Sequence, residues 1–345
     1  MFLRNLWYIA AFAADLGPGE RLARRILNEP IVLFRTMSGK VAALTDACSH
    51  RAMPLSEGVV EGERIRCCYH GLEFGADGSC EFIPGQSRIP GQASVRGYPL
   101  LEKNGIVWIW MGDPALADSA AVTEIAEHDD PHWAWRPVYM HVAANWQLLV
   151  DNILDLTHVA YIHAKTIGGT PETHFAAQTR VEFDGHHVSL IRHMPNSVPP
   201  HTYVLAGGFR GNVDRWQRVD FAPGQGMILR VNVGARDVGA ASDDDCCDNG
   251  FTLVNIHGIT PETETSTHYI WSIATHARHG ELCDPIFDQI DATIREDEAV
   301  LEAQQRRISD IPDVKFVGIA SDGAVNHARR LLAGLGQKEG GGGPD

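Results

Sequence analysis

The stretch "CSHRAMPLSEGVVEGERIRCCYHG", residues 48–71, alternates thiol and imidazole: Cys48 and His50, then sixteen residues, then Cys67 and His70. A structural zinc site usually keeps its cysteines and histidines in separate pairs. Here each pair is mixed. That pattern suits a two-iron, two-sulfide cluster with two cysteines on one iron and two histidines on the other. Two hairpin-like loops, each offering one Cys and one His, then clamp the cluster from both sides. The histidine pair raises the potential and leaves an imidazole edge open for electron exit. Cys67 rather than Cys68 is the ligand, since only Cys67 stands two residues clear of His70; Cys68 is expected as a packed thiol.

A second constellation lies in "NWQLLVDNILDLTHVAYIH", residues 145–163. Asp151 and Asp155 are spaced i, i+4, and Asp155 and His158 i, i+3, so on a helix they share a face. His158 and His163 are five apart, about 140° around a straight helix. Both reach one ion only if the helix ends, kinks or bulges. Two histidines with a distant carboxylate are the ligand set of a facial-triad iron(II) site with positions left for O₂. The candidate carboxylates stand together in "TIREDEAVLEAQQ", where Glu296, Asp297 and Glu298 compete.

The elements that must carry these groups are legible in outline. The first 110 or so residues hold short β-branched runs, "PIVLFRT", "KVAALTD" and "GIVWIWMG", which read as strands. "MGDPALADSAA" reads as a boundary, dividing the chain into domains 1–113 and 114–335 with a flexible tail at 336–345. Residues 146–163 are expected as one helix. Strands return over 180–275. In "MILRVNVGAR", Ile228, Arg230, Asn232 and Gly234 share one face; in "FTLVNIHGI", Asn255 and His257 share another. An amphipathic helix follows from Pro285 to Arg307, then a last helix opening with Ser321 as N-cap. The class is α+β, with antiparallel strands in both halves.

The chain has 345 residues, a formal charge of −15, 44% hydrophobic residues and no basic run. A nucleic-acid partner is therefore excluded, and no apolar run is long enough to span a membrane. The seven cysteines are too few for a disulfide scaffold and suit a reducing, cytoplasmic setting. Cys246 and Cys247 fall in the acidic "ASDDDCCDNG", read as a solvated loop. No flavin or nicotinamide fingerprint is present, so reducing electrons come from a separate protein.

"DACSHRAMPLSEG" with "CCYHGLEFGADGSC" resembles the Rieske domain of Rieske non-haem iron oxygenases, with Ser49 where many members carry Pro. "NWQLLVDNILDLTHVAYIH" resembles that family's Asn-x-x-Asp-x-x-His-x-x-x-x-His element, beginning at Asn152. Along the whole chain, "NLWYIAAFAADLG", "DNILDLTHVAYIHAKTIG" and "TPETETS…YIWSIA" are similar to vanillate O-demethylase oxygenase subunits. The resemblance implies a Rieske [2Fe-2S] domain followed by a helix-grip catalytic domain, a curved antiparallel sheet packed on long helices. It implies His158, His163 and Asp297 as ligands of a mononuclear Fe(II), with O₂ as co-substrate. It implies Asp155, with Asn152 beside it, as a bridge between a cluster histidine of one subunit and an iron-ligand histidine of the next, within a homotrimer. It implies Asn232 and His257 as contacts to an aromatic acid, and NADH electrons delivered through a flavin/ferredoxin-type reductase. The implied reaction hydroxylates the methyl of a methoxy group, whose hemiacetal collapses to a phenol and formaldehyde. Members acting on a chlorinated methoxybenzoate carry Trp nine residues before the triad Asp, where this chain has Asp288.

Overall fold

The computed structural model describes residues 2–235 and 250–340; Cys246 and Cys247 lie outside them. The chain divides into two compact units, Met1–Glu124 with Thr260–Thr263, and Ile125–Ile259 with the residues from Glu264 onward.

The first unit is built from short antiparallel strands. These are β1 (Trp7–Phe12), β2 (Arg21–Ile26), β3 (Glu29–Arg35), β4 (Val41–Thr45), β5 (Val59–Glu61), β6 (Arg64–Arg66), β7 (Glu73–Gly75), β8 (Cys80–Phe82), β9 (Leu100–Lys103) and β10 (Ile106–Trp110). They form three sheets, ordered β1-β10-β9, β2-β3-β4 and β5-β6-β7-β8. β1 and β10 are buried at every position, as continuous apolar runs require. A core of Val32, Phe34, Leu44, Leu55, Ile65 and Phe74 also takes in Cys48 and Cys67, so the loops that carry the two thiols are nailed to the interior. The unit runs past the expected boundary at residue 113 because short 3₁₀ turns fold back onto it. Trp7 Nε1 donates to Asp118 O at 2.9 Å, Lys103 Nζ to Val122 O at 3.0 Å, and Asn104 Nδ2 to Glu124 Oε1 at 3.0 Å.

The second unit is one seven-stranded antiparallel sheet, β11-β17-β16-β15-β14-β13-β12. Its strands are β11 (Trp133–Val142), β12 (Gln178–Phe183), β13 (Val188–Ser197), β14 (Val213–Ala222), β15 (Gly226–Ala235), β16 (Gly250–Thr263) and β17 (Ser266–His276). The helices are α1 (Ala126–Asp129), α2 (Trp146–Leu154), α3 (Val159–Ile162), α4 (Pro171–Phe175), α5 (His201–Gly207), α6 (Cys283–Asp310) and α7 (Gly323–Gly340). α6 has 28 residues and buries Ile286, Phe287, Ile290, Ile294 and Leu301 along one stripe, the 3.6-residue period of a core-facing helix.

Three local expectations change. The helix expected over 146–163 stops at Leu154, because the Asp155 side chain accepts the Thr157 N–H at 2.9 Å and turns the backbone to an extended φ, ψ of −128°, 91°. Ser321 does not cap α7; its hydroxyl donates to Asp155 Oδ2 at 2.9 Å, and Asp322 O receives the first helical N–H, from Asn326. α7 continues to Gly340, five residues into the segment expected to be flexible. No described helix is long and apolar enough to cross a membrane.

Candidate metal centres

In the first unit the four cluster residues sit on two loops with the same backbone wiring. Cys48 N donates to Met53 O and Ala52 N to Cys48 O, each at 2.8 Å; Cys67 N donates to Leu72 O at 2.8 Å and Gly71 N to Cys67 O at 3.1 Å. The residue four beyond each cysteine is left-handed, Ala52 at φ 53° and Gly71 at φ 74°. A residue there turns the chain back, so that each loop presents its histidine beside its thiol. The rings of His50 and His70 approach to 4.4 Å between centroids. Both thiols are buried and both imidazoles exposed. Burial pushes the Cys48 thiol up to about 11, so a bound metal is what would hold it as thiolate. A buried thiol pair with an exposed imidazole pair fits the mixed donor set that a two-iron, two-sulfide cluster would take. Cys68 is exposed rather than packed, because its neighbour Cys67 takes the inward position.

In the second unit, α3 is a single turn with His158 at its N-terminal end and His163 at its C-terminal end. A 100° advance per residue on an unbroken helix would splay them. Here the chain breaks at Asp155, and both rings turn toward Asp297 of α6. His163 Nε2 lies 3.2 Å from Asp297 Oδ2, and His158 Nε2 lies 3.5 Å from Asp297 Oδ1. One ligand atom from each of the three residues falls within 4.8 Å of the others, a donor set and spacing that fit one iron(II) ion. Among the competing carboxylates, Asp297 lies seven residues after Ile290 and four before Leu301, on the buried stripe of α6. Glu296 and Glu298 fall to either side. That stripe is the sequence signal that separates the three.

Each ligand is held by a further group. Asn152 Nδ2 donates to Asp297 Oδ1 at 3.1 Å. His158 Nδ1 meets the main-chain oxygen of Asp155 at 2.6 Å, whereas His163 Nδ1 meets the carboxylate of Glu296 at 2.7 Å. The two imidazoles respond oppositely: burial lowers the His158 pKa, while at His163 burial is outweighed by Asp297 and Glu296, which raise it. Gly168 closes the loop behind α3. Its N–H donates to His163 O at 2.9 Å, and a Cβ there would lie 2.4 Å from Val159 O. The Asp155 carboxylate touches neither imidazole; it accepts from Thr157 and Ser321. A cavity of about 820 Å³ is lined by Asn152, Asp155 and His158 together with residues of α6 and α7.

β15 and β16 pair without a bulge from Met227↔His257 to Gly234↔Gly250. Asn232, paired with Thr252, therefore falls on the opposite face from His257. The structure does not bring the expected pair together. The residue sharing His257's face is Asn255, two positions back. His257 is buried, its Nδ1 is 2.6 Å from the Tyr269 hydroxyl, and burial pushes its pKa down to about 4 against the opposing charge of Asp297. Asp288 pairs with Arg136 at 2.6 Å, exposed on α6.

Comparison with known proteins accounts for both centres. Residues 6–99 match the Rieske [2Fe-2S] domain, and residues 142–338 match the vanillate O-demethylase oxygenase C-terminal domain. The chain belongs to the Rieske non-haem iron oxygenases. It carries the [2Fe-2S] cluster domain and the non-haem iron domain of that family. The oxygenase is 36% identical to the iron-sulfur subunit of a toluene-4-sulfonate monooxygenase system from Comamonas testosteroni, over 99% of both chains. It is 35% identical to a vanillate O-demethylase oxygenase subunit from a Pseudomonas species, over 96% of this chain and 94% of that one. Its fold superposes on dicamba monooxygenase bound to 3,6-dichlorosalicylic acid with a TM-score of 0.87 at 30% identity, covering 98% and 99% of the two chains. The structure brings the expected His158, His163 and Asp297 together. Nothing in the sequence signalled that Glu296 and Tyr269 brace His163 and His257, because each meets a ring carried on another element.

Proposed function

We propose that this oxygenase removes the methyl group of an aromatic methoxy acid of the vanillate kind, using NADH electrons relayed by a separate flavin/ferredoxin-type reductase. The single observation that carries the reading is the convergence of His158, His163 and Asp297 in a unit that shares its domain type with the vanillate O-demethylase subunits. When bound, the iron supplies oxygen activation at the methyl carbon, with electrons from the cluster.

The chain's own groups do the rest. His158 and His163 are fixed by their Nδ1 partners, so Nε2 of each faces the metal position. Asn152 holds Asp297 in place. Leu229, Val231, Phe251 and Leu253 share the sheet face that carries Asn255 and His257 and are buried, which keeps water from the reacting methyl. His257 Nε2 and Asn255 Oδ1 are buried without a hydrogen-bond partner among the described residues. Groups left so are the natural anchors for substrate oxygens, since an unpaired buried polar atom costs about 1–3 kcal/mol. Hydroxylation turns the methoxy carbon into a hemiacetal; the bond from that carbon to the ring-bound oxygen then breaks, the oxygen takes up a proton, and a phenol and formaldehyde result. We place the working form as a cytoplasmic homotrimer in which the cavity beside Asp155 and His158 receives the cluster histidines of the next subunit.

A second reading, hydroxylation at a methyl or ring carbon of an aryl acid without demethylation, draws on the likeness to the toluene-4-sulfonate subunit. Formaldehyde release separates the two. With NADH, a surrogate reductase and a panel of methoxybenzoates including vanillate, demethylation gives formaldehyde and phenol in equal amounts. Oxygen uptake yielding an alcohol and no formaldehyde, from toluene-4-sulfonate for instance, would favour the second reading.

A further inference from the structure

We infer that Glu296 is a positioning residue for the iron site, an outer carboxylate that makes His163 a stronger electron donor than His158. The inference rests on His158, His163 and Asp297 being the iron ligands, and is independent of the substrate.

The two histidines differ in what holds Nδ1. For His158 the acceptor is the neutral main-chain oxygen of Asp155 at 2.6 Å. For His163 it is the Glu296 carboxylate at 2.7 Å, and the same oxygen, Oε2, also takes the Thr166 hydroxyl at 3.4 Å. His163 is almost fully buried, with a side chain 2% exposed, while Glu296 keeps 34% of its own exposure. A charged acceptor therefore reaches inward from the protein surface onto a buried ring. An N–H donated to a carboxylate pushes electron density onto the other ring nitrogen more than one donated to a carbonyl, and it fixes the tautomer with Nε2 toward the metal. Glu296 and Asp297 are neighbours on α6, so one turn of helix supplies both the ligand and the brace of the ligand opposite it. Glu298 carries the same charge one residue beyond Asp297, but its carboxylate lies 3.8 Å from Arg295. It is a built-in control for charge without contact.

The test measures metal binding directly. Wild type, E296Q, E296D and E298Q, each with its cluster intact by visible absorption, are titrated with Fe(II) against a competing chelator; parallel samples carry cobalt(II) for its visible bands. Glutamine keeps an acceptor oxygen but loses the charge. E296Q is expected to raise the Fe(II) dissociation constant about tenfold to a hundredfold and to shift the cobalt bands, while E298Q does neither. E296D, one methylene short of Nδ1, moves both readouts in the same direction as E296Q. It keeps the inference testable if E296Q does not accumulate folded. Unchanged affinity and bands in E296Q and E296D would overturn the inference, as would an equal effect in E298Q, which would reduce it to general charge. A wild-type protein that takes up no metal beyond its cluster would overturn the ligand set beneath it, and is told apart by iron content per chain.

Discussion

The two centres answer opposite demands with the same imidazole. In the first unit His50 and His70 stand at the surface on two loops of matching wiring. Their backbones are fixed by hydrogen bonds within each loop, and the loops by the two cysteines buried in the core. In the second unit His163 is buried and His158 nearly so, and each of the three converging residues is gripped by another: Asp155, Glu296 or Asn152. An electron-transfer cluster works by having an edge that a partner can approach. A site for oxygen chemistry works by keeping water out and holding its open positions rigidly. Exposure at one and enclosure at the other follow from those tasks.

The strongest test separates the centres by deletion. His163→Ala or Asp297→Ala is expected to abolish product formation and the second iron, while the visible spectrum of the cluster survives. Cys67→Ser is expected to do the reverse to the metals, with product formation equally lost. Iron per chain and absorption read both out. Loss of both metals in every variant would mean that the two units do not bind metal independently.

Asp155→Asn is the next largest expected effect. His158 is held by the main-chain oxygen of residue 155, which the substitution leaves in place, so iron content should stay near wild type. The charge facing the cavity is lost, and turnover should fall by about a hundredfold, the upper range for an outer partner of a metal ligand. The decisive comparison is single turnover from a pre-reduced cluster. A wild-type rate there would remove Asp155 from the proposed electron path.

The same contrast explains what could be read in the sequence. Cys48, His50, Cys67 and His70 lie within 23 residues, and their spacing alone implies two turns around one cluster. The two histidines that converge in the second unit were visible as well, but the carboxylate they meet comes from a helix whose Asp297 is 134 residues beyond His163. Only the buried stripe of α6 picks it from its acidic neighbours. Asp155 was read as part of a helix when its sequence, Asp-Leu-Thr, is one that turns a chain by side chain to main chain bonding. Asn232 and His257 fall on opposite faces for a different reason. Face alternation within a strand is local, but which face meets the iron depends on pairing with a partner strand 20 or so residues away, and that register is not written in either strand by itself.

His174 tests how dry the second unit is. Its Nε2 is 2.7 Å from Gly168 O and its Nδ1 is 3.3 Å from Arg192 Nη1, behind the loop that follows His163. Burial, reinforced by the Arg215 and Arg192 charges, pushes it from 6.5 to about 4. Below pH 6.5 the unfolded chain takes up a proton that the folded chain refuses. Stability is therefore full above pH 6.5 and declines as pH falls toward 4, by about 3 kcal/mol at the lower end. His174→Gln should flatten that slope in urea unfolding between pH 7 and 4. An unchanged slope would mean that this interior admits a proton as readily as solvent does.

The smallest effect belongs to the exposed centre. At the matched left-handed position the twin loops carry different residues, Ala52 in one and Gly71 in the other. Alanine there holds a conformation that its Cβ disfavours by about 1–2 kcal/mol, while glycine holds it freely. Ala52→Gly should relieve that strain, less the extra freedom glycine gives the unfolded chain, for a net gain of about 0.5 kcal/mol. Thermal loss of the cluster absorption would shift up by a degree or so. The reverse change is not its mirror image. Gly71→Ala meets the left-handed penalty and also places a Cβ 3.0 Å from Pro84 Cγ, so cluster loss should come several degrees earlier. If both substitutions were neutral, the loops would be held by the cluster rather than by their own backbone. The preformed wiring that sets the first centre apart from the second would then be a consequence of metal binding, not its scaffold.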